Sequence, residues 1–129
     1  MNYPKHYLLD TDALVEFFRG QYPAMTFFNA LDGNLAVSVI TVAELFAGAR
    51  NDAEWRIIDE FLTTLNIIPV DRAIAEQGGR YRRQYKQSHG TGLDDALIAA
   101  TAELNRATLV SFNRRHFPMI TNLLVPYER

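Results

Sequence analysis

The chain of 129 residues contains no cysteine, which excludes disulfide bonds, thiolate metal ligands and cysteine nucleophiles. Glycine and proline are also scarce, with seven and five residues, and this argues against a linker-rich or fibrous chain. No apolar run approaches the roughly 20 residues of a membrane-spanning helix, and residues 1–6 lack the apolar core of a signal peptide. We therefore expect a cytoplasmic protein without membrane association.

The composition that remains is typical of one globular domain, which we predict to cover residues 1–129. Hydrophobic residues make up 48% of the chain and charged residues 22%, which argues against disorder. The formal net charge of −2 lacks the basic surplus that is usual in nucleic-acid binders. The charge is uneven, however, because most acidic residues lie before residue 72 and most basic ones after it.

A short basic stretch stands out in the second half of the chain. It consists of Arg80, Arg82, Arg83 and Lys86. A basic patch beside an acidic pocket would suit a polyanionic substrate that is reached through a bound cation. The same stretch fits a solvated helix face equally well, since charged helix faces are common.

Short apolar segments alternate with helical ones along the chain. The predicted strands are 7–9, 35–40, 66–70, 108–112 and a last short one at 123–125. The predicted helices are 11–19, 23–31, 41–49, one capped by Asn51 or Asp52, 72–88 and 93–105. This alternation predicts an α/β fold with a mainly parallel sheet of four to five short strands and helices on both faces. Pro69 favours an edge position for the third strand.

Polar side chains are predicted to meet at one edge of this sheet. Parallel sheets bind ligands outside the carboxyl ends of their strands. Asp10 and Asn113 directly follow two of the strands. Glu44 lies in the first turns of the helix after the second strand, and Asp95 begins the helix before the 108–112 strand. We therefore expect these four residues to converge.

Two of the acidic candidates also have structural interpretations as helix caps. Asp10 can cap the first helix, while Asp12 fits the first-turn acid that the helix dipole favours. Thr41 and Glu44 fit a capping box. Glu44 is nevertheless flanked by apolar residues, and burying it without a partner would be costly.

The neighbouring acids Asp94 and Asp95 are separated by the same argument. Thr91 and Asp94 fit a capping box, which gives Asp94 a structural role. Asp95 has no such role in the sequence and is followed at once by an apolar run. We therefore expect Asp95, rather than Asp94, to be functional.

Carboxylates that meet at one edge repel each other unless a positive charge lies between them. No Lys or Arg is adjacent in sequence to Asp10, Glu44 or Asp95. The expected counter-charge is a bound cation, and oxygen-only ligands favour Mg²⁺ or Mn²⁺ over zinc. Such an ion can activate a water for attack on a phosphodiester, which predicts a metal-dependent nuclease.

Four segments resemble, in order, the successive motifs of PIN-domain ribonucleases, and within them the VapC-type toxins of toxin–antitoxin modules. They are LLDTD at 8–12, VSVITVAEL at 37–45, DALIAATA at 95–102 and TLVSFNRRHF at 108–117. The resemblance implies a three-layer α/β/α sandwich that cleaves RNA with Mg²⁺ or Mn²⁺ held by Asp10, Glu44 and Asp95. It also implies a homodimer, and a cognate antitoxin whose tail presents a cation to the acidic site.

The same resemblance implies supporting residues around the site and also shows where this sequence departs from the family motif. Small hydroxyl residues that often support the site would be Ser38, Thr41 and Ser111. Two positions depart from the pattern, since Asp12 stands where the subgroup usually has Asn, and Asn113 stands where many PIN domains have a fourth Asp. A neutral Asn113 can orient a water or ligand but binds a second cation poorly.

Two alternatives to the nuclease remain at this point. Residues 7–12 and the pair Asp94–Asp95 resemble motifs of haloacid-dehalogenase-type phosphatases, although no lysine stands at a strand end and Glu44 would be unexplained. The second alternative is a non-catalytic RNA- or protein-binding module in which the acids only cap helices. The three histidines are expected to be surface residues; they are His6, His89 and His116.

Overall fold

The protein is described by a computed structural model over residues 5–129. Residues 1–4, which belong to the predicted domain and to the segment searched for a signal peptide, lie outside the described residues. The elements in chain order are β1 (His6–Leu9), α1 (Thr11–Phe18), α2 (Tyr22–Ala30), β2 (Asn34–Ser38), α3 (Val39–Ala47), α4 (Asp52–Leu62), β3 (Asn66–Ile68), α5 (Arg72–His89), α6 (Leu93–Leu104), β4 (Thr108–Val110) and a 3₁₀ turn (Arg114–His116). Between residues 5 and 129, every helix falls short of the length or apolar character that a membrane span requires.

The four strands form one parallel sheet in the order β3-β2-β1-β4. In the central strand, Tyr7 is in register with Leu35 of β2 and with Thr108 of β4. An isolated parallel bridge between Val110 and Leu124 extends the pairing beyond β4. The predicted parallel sheet is confirmed, and so is the edge position of the third strand.

Apolar side chains fill both faces of the sheet, because successive residues of a strand point to opposite sides. Leu8 packs on one face and Leu9 on the other, and neither is more than 1% exposed. The buried core on the face of α1, α3 and α4 consists of Tyr7, Leu9, Ala13, Leu14, Val37, Leu45, Ile58, Leu62 and Val110. The buried core on the face of α6 consists of Leu8, Ala36, Ile98, Ala99, Ala102, Leu109 and Phe117. This α/β/α sandwich is the predicted architecture.

Strand β2 ends earlier than predicted, at Ser38 rather than Ile40. The Ser38 hydroxyl accepts a hydrogen bond from the Ile40 backbone N–H at 3.0 Å, so Ser38 caps α3. The apolar run 35–40 is therefore divided between a strand and the first turn of a helix. A buried strand and a buried helix start have the same composition, which is why periodicity did not separate them.

Two glycines bring α5 and α6 together beside the carboxyl edge of the sheet. A Cβ at Gly78 would lie 3.2 Å from the Cα of Leu97, so the two helix backbones can approach closely only because this side chain is absent. Gly90 ends α5 with a φ of 67°, a left-handed conformation that strains other residues. The turn that follows leads directly into the N-terminus of α6, where Asp94 and Asp95 lie.

Candidate active site

Asp10 is the buried centre of the site at the carboxyl edge of the sheet. Its backbone N–H donates to the Val110 carbonyl at 2.9 Å, which joins the ends of β1 and β4. Its Oδ1 accepts from the Thr11 N–H at 2.8 Å, and its Oδ2 accepts from the Ser111 hydroxyl at 2.7 Å. Asp10 is therefore a helix cap, as one interpretation held, and its second oxygen is also fixed by the chain that leaves β4.

Asp12 lies beside Asp10 and contacts the same strand end. One of its oxygens accepts from the Phe112 backbone N–H at 3.1 Å, and the Ser111 hydroxyl lies 3.3 Å from that oxygen. It is a first-turn acid of α1, as predicted. Its carboxylate is however tied to residues about a hundred positions away, so it belongs to the acidic cluster as well.

Glu44 reaches the cluster from α3, and its predicted capping box with Thr41 is wrong. Helix α3 starts at Val39 under the Ser38 cap, which places Glu44 beyond the first turn. Its Oε1 instead accepts from the Thr11 hydroxyl at 2.7 Å. The Thr11 and Thr41 hydroxyls lie 3.2 Å apart. Thr11, which the sequence did not single out, therefore connects Glu44 with the start of α1.

The roles predicted for the two acids of α6 are reversed at the helix cap. Gly92 is the cap, and its N–H donates to Asp95 Oδ2 at 3.3 Å, so Asp95 and not Asp94 has the capping role. The predicted box of Thr91 and Asp94 is wrong, because the buried Thr91 hydroxyl donates to the His116 carbonyl at 2.9 Å. The prediction failed because it placed the cap one residue too early. Asp94 is exposed at the rim, close enough to raise the pKa of Glu44.

Asn113 and His116 join Asp95 through the 3₁₀ turn after β4. Asn113 caps that turn, and its Nδ2 lies 2.7 Å from His116 Nδ1. The same imidazole nitrogen lies 3.1 Å from Asp95 Oδ2. His116 was expected to be a surface residue, and its side chain is indeed 33% exposed, but its contact with Asp95 was not predicted. The available signal was its position three residues after Asn113, which a 3₁₀ turn places side by side.

Four carboxyl groups of this edge have raised pKa values, and burial is the main cause in each case; they are Asp10, Asp12, Glu44 and Asp95. Burial, followed by the charge of Asp12, raises the pKa of Asp10 to about 8, against the hydrogen bonds from Ser111 and Thr11. Burial also raises the pKa of Asp12, although the Phe112 N–H and the charge of Arg129 lower it. The raised pKa values show that this edge favours either bound protons or a bound cation.

Burial likewise raises the pKa of the two acids on the far side of the cluster. For Glu44 the neighbouring Asp94 adds to the effect of burial, while the Thr11 hydroxyl opposes it. For Asp95 the charge of Asp94 adds to burial, while the Gly92 N–H and His116 oppose it.

The donor chemistry fits a hard divalent cation better than any other group. Carboxylate oxygens are the ligands that Mg²⁺ and Mn²⁺ prefer, and a bound cation would offset the cost of keeping these buried carboxylates charged. Both oxygens of Asp10 accept hydrogen bonds, yet each retains a further lone pair. Within residues 5–129, no three Asp, Glu or His side chains are already arranged so that they could hold a metal ion. Binding therefore requires rotation of side chains, most simply at Glu44 and Asp95.

The basic stretch of α5 lies on exposed and half-buried positions of that helix. Arg80 forms an ion pair with Glu76, with Nη2 and Oε1 at 2.7 Å, and both side chains are exposed. This pair fits the interpretation of a solvated helix face.

Comparison with known proteins identifies the family of this chain. The PIN domain family matches residues 7–121, so the chain belongs to the PIN-domain family. Within it, the chain belongs with the VapC ribonucleases. It is 38% identical over 123 residues to Ribonuclease VapC10 of Mycobacterium tuberculosis, covering 93% of this chain and 92% of that protein. This membership favours the nuclease over the phosphatase and the binding module.

Two solved structures are similar over nearly the full length. A toxin–antitoxin complex from Klebsiella pneumoniae matches with a TM-score of 0.84 and 34% identity, covering 95% of this chain and 99% of that one. VapBC2 from Rickettsia felis, bound to a DNA fragment from its promoter, matches with a TM-score of 0.76 and 29% identity, covering 92% and 95%.

Proposed function

We propose that this chain is a metal-dependent endoribonuclease and the toxin of a toxin–antitoxin pair, working as one domain over residues 1–129. The observation that carries the proposal is the convergence of five carboxylates at one edge of the sheet. Four of them are held by hydrogen bonds, namely Asp10, Asp12, Glu44 and Asp95, and the exposed Asp94 lies close to Glu44. VapC relatives are ribonucleases by name, and RNA is accordingly the proposed substrate.

In this proposal Asp10, Glu44 and Asp95 hold Mg²⁺ or Mn²⁺. The bound ion would polarise a phosphoryl oxygen and lower the pKa of a bound water. Both effects promote hydrolysis of a phosphodiester. The protein keeps these three carboxylates on elements that come from both faces of the sheet. Their separate origin explains why the whole fold is needed to assemble the site.

Neighbouring groups hold each of the three carboxylates in place. Ser111 and the Thr11 N–H restrain Asp10, the Thr11 hydroxyl restrains Glu44, and His116 restrains Asp95. The neutral amide of Asn113 is proposed to orient a water or a substrate oxygen at the rim.

The proposed partners follow from charge and from the relatives. Solved relatives are toxin–antitoxin complexes, and a cluster of carboxylates is a natural target for a basic side chain. We propose that a cognate antitoxin inhibits the enzyme by presenting such a cation at the acidic edge, and that the toxin is a homodimer. If a short reading frame next to this gene encodes the antitoxin, its purified product should suppress cleavage.

The test of the proposed function is cleavage of RNA under metal control. Purified full-length protein is incubated with total RNA in Mg²⁺, in Mn²⁺, or with EDTA, and the products are resolved by gel electrophoresis. We expect cleavage with either ion, loss with EDTA and recovery after Mn²⁺ is added back. Glu44→Gln should abolish cleavage, while Asp59→Asn, at an exposed position of α4, should retain it. Cleavage that persists in EDTA would overturn the metal mechanism.

A further inference from the structure

The C-terminal segment runs back to the acidic edge alongside β4. The Leu124 N–H donates to the Leu109 carbonyl at 2.9 Å, and the Ser111 N–H donates to the Leu124 carbonyl at 3.1 Å. Because this pairing is parallel, the chain beyond Leu124 continues in the direction of the carboxyl end of β4. Residues 125–129 are thereby delivered next to Phe112, at the side of the site that holds Asp12.

A small cavity of about 270 Å³ opens between this segment and the end of β4. We call it the arginine cleft; its lining residues are Phe112, Arg114, Val125, Tyr127, Glu128 and Arg129. Phe112 belongs to the cleft and to the acidic site at once, since its backbone N–H donates to Asp12. The cleft and the carboxylate cluster are therefore adjacent.

Arg129 is held in a defined position inside the cleft. Its guanidinium lies 4.2 Å from the centre of the Phe112 ring, and its Nη1 lies 3.0 Å from Glu16 Oε1. The Tyr127 ring packs edge-on against Phe112 at a centroid distance of 5.0 Å. About half of the Arg129 side chain remains exposed, at 48%, and a guanidinium has further N–H donors besides the one on Nη1 that faces Glu16.

Arg114 is the second cation of the cleft and is far less restrained. Its side chain is 70% exposed, and its Nη2 lies 4.0 Å from Oε1 of Glu128, which is itself 93% exposed. An ion pair of this length and exposure contributes little. Arg114 can therefore exchange Glu128 for another anion at small cost.

An RNA strand that approaches this edge meets a group of negative side chains that repel it. Cations next to the cluster would offset this repulsion and draw the strand in. Arginine suits the task, because its planar fork of N–H donors matches the oxygens of a phosphate. The partners of Arg129 hold its guanidinium in advance, so less conformational entropy is lost when a phosphate binds.

We propose that Arg114 and Arg129 form a phosphate-binding subsite in the arginine cleft, which holds a backbone phosphate of the RNA strand next to the phosphate that is cleaved. This inference rests on the proposed ribonuclease function. Glu128 is expected to weaken RNA binding, because the Glu128 carboxylate competes with the phosphate for Arg114.

The test measures binding of a fluorescein-labelled single-stranded RNA oligonucleotide, at fixed Mg²⁺, to full-length protein in an Asp95→Asn background that does not cleave. We expect Arg114→Ala and Arg129→Ala each to raise Kd about three- to tenfold. The double variant should lower the slope of log Kd against log salt by about 0.7, the value for one phosphate contact on a single strand. Glu128→Gln should tighten binding at least twofold.

Arg19→Ala is the matched control, because Arg19 is exposed at the far end of α1, away from the carboxyl edge. Because the Arg114 side chain is exposed, we expect its replacement to leave the packing of the C-terminal residues 125–129 unchanged. The inference is overturned if Arg114→Ala and Glu128→Gln both bind like Arg19→Ala while the unmodified protein cleaves RNA. Absence of any metal-dependent cleavage by the unmodified protein would instead count against the proposed function.

Discussion

His116 Nδ1 lies 3.1 Å from Asp95 Oδ2, and this contact joins the N-terminus of α6 to the turn that follows β4. The same Asp95 oxygen accepts the Gly92 N–H. The carboxylate is thus positioned from two elements that meet only in the folded chain. These contacts hold Asp95 in the metal-free protein, where burial and the charge of Asp94 raise its pKa.

Replacing His116 should impair catalysis without unfolding the protein. His116→Ala removes a group that orients Asp95 and lowers its pKa, and loss of a partner of a metal ligand typically costs 10–100-fold in metal affinity or activity. We expect a loss of this order that is partly recovered at high Mn²⁺. Cleavage rates across a Mn²⁺ titration measure it, with His89→Ala as the control. Equal rates for the two variants would contradict the role of His116.

Replacing Asp94 or Asp95 of α6 by Asn should have different effects on cleavage, while neither replacement should lower the stability. Asp95→Asn should abolish cleavage, and its amide oxygen can still accept from Gly92, so the cap survives. Asp94→Asn should leave the melting temperature unchanged or raised, because Asp94 makes no cap and repels Glu44. Parallel cleavage and melting measurements check both statements. A clear loss of stability in Asp94→Asn, with none in Asp95→Asn, would show that Asp94 and not Asp95 caps α6.

The stability of the metal-free protein should fall with rising pH because of Asp10. Its folded-state pKa is raised from 3.8 to about 8, so between these values the unfolded chain releases a proton that the folded chain keeps. Stability from this group is therefore greatest below about pH 4 and declines up to about pH 8. The melting temperature of Asp10→Asn should decline less over this range than that of the unmodified protein.

Mn²⁺ provides the check on this pH dependence. A cation that binds the folded state alone stabilises it by mass action, and it competes with protons for the carboxylates. The increase in melting temperature with Mn²⁺ should therefore be larger at pH 8 than at pH 5. An increase of the same size at both pH values, or in Asp10→Asn, would refute competition at this site.

Thr11 should matter for metal binding through Glu44. Thr11→Val keeps the shape of the side chain but removes the hydroxyl that donates to Glu44 Oε1 at 2.7 Å. We expect weaker Mn²⁺ binding, with several-fold more Mn²⁺ needed for the half-maximal cleavage rate, and a stability loss of about 1 kcal/mol. Thr26→Val, at an exposed position of α2, is the control. An unchanged Mn²⁺ requirement would mean that Glu44 is placed by α3 alone.

The strands and the convergence of their carboxyl ends at one edge were predictable from the sequence, because they follow from rules about chain direction. The end of β1 at Asp10 and the end of β4 before Asn113 are marked by a change from apolar to polar residues. A parallel sheet brings such ends to one edge whatever the side chains do. The position of Asp10 at this edge therefore follows from the sequence alone.

The caps and the supporting contacts were not predictable in the same way. Ser38 and Thr41, or Thr91 and Gly92, are both acceptable caps by local preference, and tertiary packing decides between them. The choice moved the capping role from Asp94 to Asp95. Long-range contacts such as that of His116 with Asp95 depend on the path of a turn, which has no periodic signal.

Strand β1 lies between β2 and β4. Its residues Leu8 and Leu9 are buried in the cores on opposite faces of the sheet. The amide of Asp10 is bonded to Val110 at the end of β4. Local opening of a protein begins at its edges, whereas core strands open with free energies that approach the value for global unfolding. The position of Asp10 therefore depends on the pairing of β1 with β4, and local opening of β3, at the opposite edge of the sheet, leaves that pairing in place.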